Sequence, residues 1–202
     1  MVRTLIGGVV AGIVLFVVGF VFWATPLAEI AYKKADVPAS AAVQTALAQN
    51  LTQSGTGTYI IPSTDTAEGT TLYGRGPVAT LHFNTGGFPA EDMSMLLPGF
   101  IVAVIAGLLI AFGLAAAAGR RDFKTLARLV VLVSLGFTTW SFLAAPIFGH
   151  HGWTYWIYAF VAESAGLILA GLVVARWFMP HQARSDAYDP PREEEPYAPP
   201  SA

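Results

Sequence analysis

Four long apolar runs decide what this chain can fold into. A helix needs about 20 consecutive apolar residues to cross the hydrocarbon core of a bilayer, and the runs at 5–24, 96–118, 129–148 and 153–175 each meet that length. The third can extend to Leu126, and the fourth alone contains a charge in its interior, Glu163. Composition agrees. Only 12% of the 202 residues are charged, against about 25% in an ordinary soluble domain, and mean hydropathy is +0.57. The expected class is an all-α membrane protein: a four-helix transmembrane bundle with a small α+β extracytoplasmic domain.

Orientation follows from the cations, since Lys and Arg near span ends are retained on the cytoplasmic side. Arg3 precedes the first span. Arg120, Arg121, Lys124 and Arg128 crowd the junction of the second and third, and Arg176 and Arg184 follow the fourth. The turn at 149–152 has no Lys or Arg. The segment 25–95 sets Lys33, Lys34 and Arg75 against Glu29, Asp36, Asp65, Glu68, Glu91 and Asp92. One arrangement keeps all three basic clusters on one side: both termini and the 119–128 loop cytoplasmic, 25–95 outside. Trp23, Trp153, Tyr155 and Trp156 then mark the outer interface, Trp177 and Phe178 the inner one. The first run, at 1–24, follows Arg3 but exceeds the 7–15 residues of a signal-peptide core and ends in Phe22 and Trp23, so an uncleaved anchor is expected.

Within 25–95, Val43, Leu47 and Leu51 recur every four residues, which predicts a helix over 38–53. Tyr59, Ile60 and Ile61 form one strand candidate. In 77–83, Ala79, Leu81 and Phe83 alternate with Val78, Thr80 and His82, which predicts a second strand and hence a hairpin. The polar connection 63–76 reads as a loop. Pro89, with Glu91 and Asp92 behind it, reads as a helix start running into the second span, with a kink at Pro98. The expected domain is therefore one helix plus a β-hairpin. The 179–202 tail carries Pro180, Pro190, Pro191, Pro196, Pro199 and Pro200 beside Glu193, Glu194 and Glu195, a composition that cannot bury enough apolar surface to order itself. It is expected to be a disordered cytoplasmic tail, open to docking by a partner as an extended peptide.

Glu163 is the most informative side chain. It lies about ten residues into the 153–178 span, roughly 15 Å deep at the helical rise. A carboxylate at that depth costs several kcal/mol unless it is paired, protonated or wet. Ser134, Thr138 and Ser141 share one face of the neighbouring span by their spacing of four and three. Thr138 falls near the depth of Glu163, so a Glu163–Thr138 hydrogen bond is expected. No second intramembrane carboxylate is available for a proton relay. Gly8, Gly12 and Gly19 on the first span, Ala103 and Gly107 on the second, and Ala162 and Gly166 on the fourth allow close helix contact.

Other chemistry is thinly represented. There is no cysteine, which removes disulfides, thiolate metal sites and iron–sulfur clusters. A net charge of −2 offers nucleic acid no basic field. His150 and His151 are adjacent, so about 100° apart on a helix, and with His82 are weak metal candidates. No histidines face each other inside the spans to clamp haem. The sequence Gly-Arg-Gly-Pro at 74–77 lacks the ending of a phosphate loop. No enzyme signature is present, and no cofactor is implied.

The order Phe22-Trp23-Ala24-Thr25-Pro26 after an N-terminal anchor, followed by Gly76-Pro77-Val78-Ala79 in an outer insertion, resembles a loosely defined group of uncharacterised bacterial four-span inner-membrane proteins. The resemblance implies a bacterial cytoplasmic membrane and brings no catalytic residues. The functional expectation is an accessory or structural subunit of a larger membrane complex, contacting lipid and other membrane subunits. The alternatives are a small proton- or cation-coupled carrier or channel using Glu163, and a lipid-directed enzyme using His82, His150 and His151.

Overall fold

A computed structural model describes residues 1–119 and 122–179. Arg120, Arg121, Arg184 and the proline-rich tail lie outside the described residues. Four helical stretches among those described are long and apolar enough to cross a membrane: Val2–Trp23, Met93–Ala118, Phe123–Gly149 and Trp153–Trp177.

Helix α1 (Val2–Trp23) stops where Pro26 approaches, because proline disfavours helical backbone at the residue before it. Thr25 settles the exit: its Oγ1 donates to Val21 O at 2.6 Å and accepts from Leu27 N at 3.3 Å. A 3₁₀ turn, Pro26–Ile30, follows. Helix α2 (Val37–Leu51) opens on Asp36, whose carboxylate accepts from Ala39 N at 2.8 Å. It buries none of its residues. Val43, expected on its inward stripe, is exposed.

Strands β1 (Gly57–Ile61) and β2 (Ala79–Phe83) pair antiparallel, Tyr59 opposite Leu81 and Ile61 opposite Ala79. The expected alternation holds, with Leu81 and Phe83 half-buried on one face and Tyr59 edge-on to Phe83 at 6.2 Å. The connection expected to be a loop instead forms helix α3 (Ala67–Arg75), so the region contains two helices beside the hairpin rather than one. Its signals are polar. Thr66 Oγ1 accepts from Gly69 N at 3.0 Å, and Glu68 and Arg75 lie at the ends that suit the helix dipole. Gly69 is required there, because a Cβ would collide with Ser63 O.

The helix expected from Pro89 is not formed. Residues 89–92 are non-helical, and Asp92 instead caps a 3₁₀ turn, Met93–Met95, by accepting from Ser94 N at 2.9 Å. Those Ser94 hydrogen bonds hold the Asp92 carboxyl below its usual range. Helix α4 (Leu96–Ala118) then starts so that Pro98 falls in its first turn, where a missing N–H removes no intrahelical bond and no kink is needed. Helix α5 (Phe123–Thr138) begins earlier than expected, capped by Asp122, whose carboxyl is held below its usual range by Thr125. A π turn, Thr139–Leu143, joins it to the short α6 (Ala145–Phe148). The ladder widens there because Pro146 has no N–H to return to the preceding turn. Helix α7 is Trp153–Trp177.

Helix α1 packs on α4 and α7, and α5 packs on α7, whereas α4 and α5 scarcely touch. The buried surfaces are built from small residues. Gly8 and Gly12 on α1 meet Gly107, Val104 and Leu108 on α4, which brings the backbones close, while Gly7 faces Phe178 beyond α7. Leu126, Val130, Ser134 and Thr138, each four apart, form the buried stripe of α5. The core cluster includes Ala11, Ala111, Ala118, Leu126, Val130, Ala170 and Val174, all in the half nearest Arg3. Arg3 closes that end by donating from Nε at 3.2 Å and Nη2 at 2.6 Å to the carbonyl of Trp177, where a cation suits a helix C-terminus. Arg176 stands over the Phe123 ring, 5.8 Å from its centroid. The opposite end is aromatic: Trp23 lies 5.3 Å from Tyr158 and 5.9 Å from Tyr155, and Tyr32 lies 5.6 Å from Tyr155.

Candidate functional site

Toward the aromatic end the helices part. A cleft of about 470 Å³ opens between α1, α4 and α7. Its walls are small or apolar, including Gly19 and Phe20 on α1, Gly99 and Ala103 on α4, and Ala162 and Gly166 on α7. Phe20 is exposed at its edge, and Val102, also a wall residue, is 65% exposed. Glu163 projects into this apolar space. The donor facing it from its own chain is Trp23 Nε1, at 3.4 Å, a long contact.

The expected Glu163–Thr138 bond is not made. Thr138 is fully buried and its Oγ1 sits 2.8 Å from Ser164 Oγ, while also donating to Ser134 O at 2.9 Å. Thr138 meets α7 one residue along from Glu163, at Ser164. Consecutive helical positions point about 100° apart, so when Ser164 faces α5 its neighbour Glu163 faces α1 and α4. Ser164 was absent from the sequence reading. A Ser beside a membrane carboxylate, level with a Thr on the next span, was its available signal. Ser134 is buried and borders a second, almost wholly apolar cleft of about 480 Å³ between α4, α5 and α7. Ser141 lies in the π turn, half-buried.

The glycines divide in the same way. A Cβ on Gly12 would stand 2.5 Å from Val104 Cα, and one on Gly8 2.8 Å from Leu108 Cα, so these two enforce the α1–α4 approach with Gly107. Gly19 does not join them, having nothing within 4 Å of its Cβ direction. Gly166 meets Leu15 at 3.6 Å and Val18 at 3.8 Å, ordinary contacts. Both glycines line the cleft instead. Gly171, unmarked in the sequence reading, makes the tight approach of α7 to Val130 on α5.

The three described histidines do not come together. His82 Nδ1 lies 3.0 Å from Thr58 Oγ1 across the hairpin. His151 is stacked on Trp156 at 5.5 Å and 10°, with Nε2 3.4 Å from Thr80 Oγ1. His150 is exposed, with φ of 53°. Among the described residues no group of three His, Cys, Asp or Glu could hold a metal ion. The His151–Thr80 contact links the hairpin to the helices.

Within the cleft, Glu163 supplies the side-chain oxygens. A hard cation such as Mg²⁺ or Ca²⁺ takes six or more oxygen ligands, which these walls do not present. A carboxylate among small apolar residues is instead suited to one approaching donor. The Thr138–Ser164 pair belongs to the α5–α7 contact and is independent of it. Thr138→Val and Ser164→Ala are each expected to cost about 0.6 kcal/mol, and no more than about 1.7. Their combination should cost less than the sum, since neither hydroxyl is then left unpaired. Thr138→Val and Glu163→Gln should add. Reversible unfolding in mixed micelles measures all three terms, and a large Thr138–Glu163 coupling would refute this assignment.

Comparison with protein-family models, curated proteins and solved structures found no match to this chain.

Proposed function

We propose that the protein is an accessory or structural subunit of a larger bacterial inner-membrane complex, without a catalytic site of its own. Its termini lie in the cytoplasm and the 25–95 region outside. The clustering of Arg3 and Arg176 at one end of the helices, with Trp23, Tyr32 and Tyr155 at the other, supports that orientation. The reading is carried by one observation: Glu163, deep in α7, is turned away from the Thr138 and Ser164 hydroxyls into an open cleft. An ionisable group held in that way is functional by expectation. Three further features agree with a component that is completed by others. Helix α2 buries none of its residues fully, with Val43 of its apolar stripe exposed and Leu47 and Leu51 half-buried. Helices α4 and α5 leave an apolar cleft between them. The main core cluster lies in the half of the helices nearest Arg3.

Purification from native membranes in mild detergent tests the reading. A stoichiometric heterologous membrane protein is expected to accompany the chain. Recovery as a homogeneous monomer or homodimer, with native membrane activities unaffected by deletion, would exclude it.

A further inference from the structure

From the cleft between α1, α4 and α7 we infer the chemistry of the partner: a transmembrane helix of another protein that places a lysine or arginine against Glu163 near mid-membrane depth. This rests on the subunit reading and adds what the site recognises. A carboxylate has room for about four hydrogen bonds, and among the described residues Glu163 has a single long one, from Trp23. The Thr138 and Ser164 hydroxyls are spent on each other. The remaining capacity faces the cleft, and a cationic donor satisfies both the charge and the hydrogen bonds.

Other occupants fit less well. The amines of lipid headgroups stay near the interface, roughly 15 Å from this depth. A free metal ion would find one carboxylate and apolar walls. Among the described residues, a second copy of the chain would bring no cation to this depth, because Arg3, Lys124 and Arg176 lie at helix ends and Arg128 lies within the first two turns of α5. Paired symmetrically, it would oppose carboxylate to carboxylate. A foreign helix meets every condition. The walls at Gly19 and Gly99 are nearly free of contacts, with nothing within 4 Å of one and only Phe16 at 3.9 Å from the other, so side chains of an incoming helix can enter. The cleft, at about 470 Å³, accommodates a long cationic side chain together with its neighbours on one turn.

The full chain, reconstituted in vesicles, can be challenged with synthetic leucine–alanine helices of about twenty residues carrying one central lysine, one central glutamate or neither. Association is read by energy transfer. The lysine helix should bind roughly tenfold more tightly than the neutral one. Glu163→Gln, which keeps the shape, should abolish the difference while leaving helix content by circular dichroism unchanged. Glu163→Lys should transfer the preference to the glutamate helix. Equal binding of lysine and neutral helices, binding of neither, or a lysine preference that survives Glu163→Gln would each overturn the inference. If a protein co-purifies from native membranes equally with wild type and Glu163→Gln while the helices fail to discriminate, the subunit reading stands and only the assignment of the cleft falls.

Discussion

Gly107→Leu should strip α1 from α4 and leave little folded protein. The side chain would have to enter between the Gly8 carbonyl and the Gly12 backbone, and a single Cβ at Gly107 already stands 2.9 Å from Gly12 Cα. The obstruction is backbone, which cannot change rotamer, so relief requires the helices to separate. Overpacking of a flexible core costs about 1–3 kcal/mol; here a cost of about 3 kcal/mol or more is expected from the same principle. Helix α1 would lose its main neighbour, and the cleft would lose one wall. The internal control is Gly113→Leu on the same helix, where nothing lies within 4 Å; a change within about 0.5 kcal/mol is expected. Because the chain has no cysteine, single cysteines introduced on α1 and α4 report separation by loss of cross-linking. Equal stability of the two variants would show that α1 and α4 do not cross at these glycines.

Gly171→Leu should produce the second largest loss, by forcing α7 away from α5. A Cβ at Gly171 would lie 2.6 Å from Val130 Cγ1 and 3.1 Å from Cγ2. Valine is confined to one χ1 rotamer on a helix, so Val130 cannot swing aside. The expected cost is about 2–3 kcal/mol, within the range for overpacked cores. Displacement would also open the buried Thr138–Ser164 pair two turns away. The obstacle here is a side chain, so it can be removed. Gly171→Ala combined with Val130→Ala should be more stable than Gly171→Ala alone, a coupling that unfolding in mixed micelles measures. No rescue by the second substitution would place Val130 elsewhere.

The contrast between these glycines shows what could be read in advance. The four long helices were legible because a twenty-residue apolar requirement leaves few alternatives, and the hairpin because alternation of Ala79, Leu81 and Phe83 sets a period of two. Helix α3 was not legible from periodicity. It has almost no apolar face and is held by the Thr66 cap and end charges. The start of α5 was placed late because Lys124 and Arg128 look like loop residues; both are exposed on a helix whose apolar stripe begins at Leu126. At the candidate site, composition singled out Glu163 and depth singled out Thr138. The missing quantity was helix adjacency. That α1 packs against α7 is a tertiary fact, and it decides whether residue 163 or 164 meets α5. Gly19 and Gly171 exchange roles for the same reason: spacing along one helix fixes a face without saying what that face meets.

Cross-linking within living membranes tests the cleft most directly. A photoreactive residue at Val102, 65% exposed on the cleft wall, can be compared with one at Leu132 on α5, 61% exposed and outside that cleft. If the cleft seats a foreign helix, irradiation gives a discrete adduct with another polypeptide from position 102, weakened by Glu163→Gln and absent from position 132. Lipid adducts alone from both positions, or a cross-link between two copies of this chain, would contradict the account.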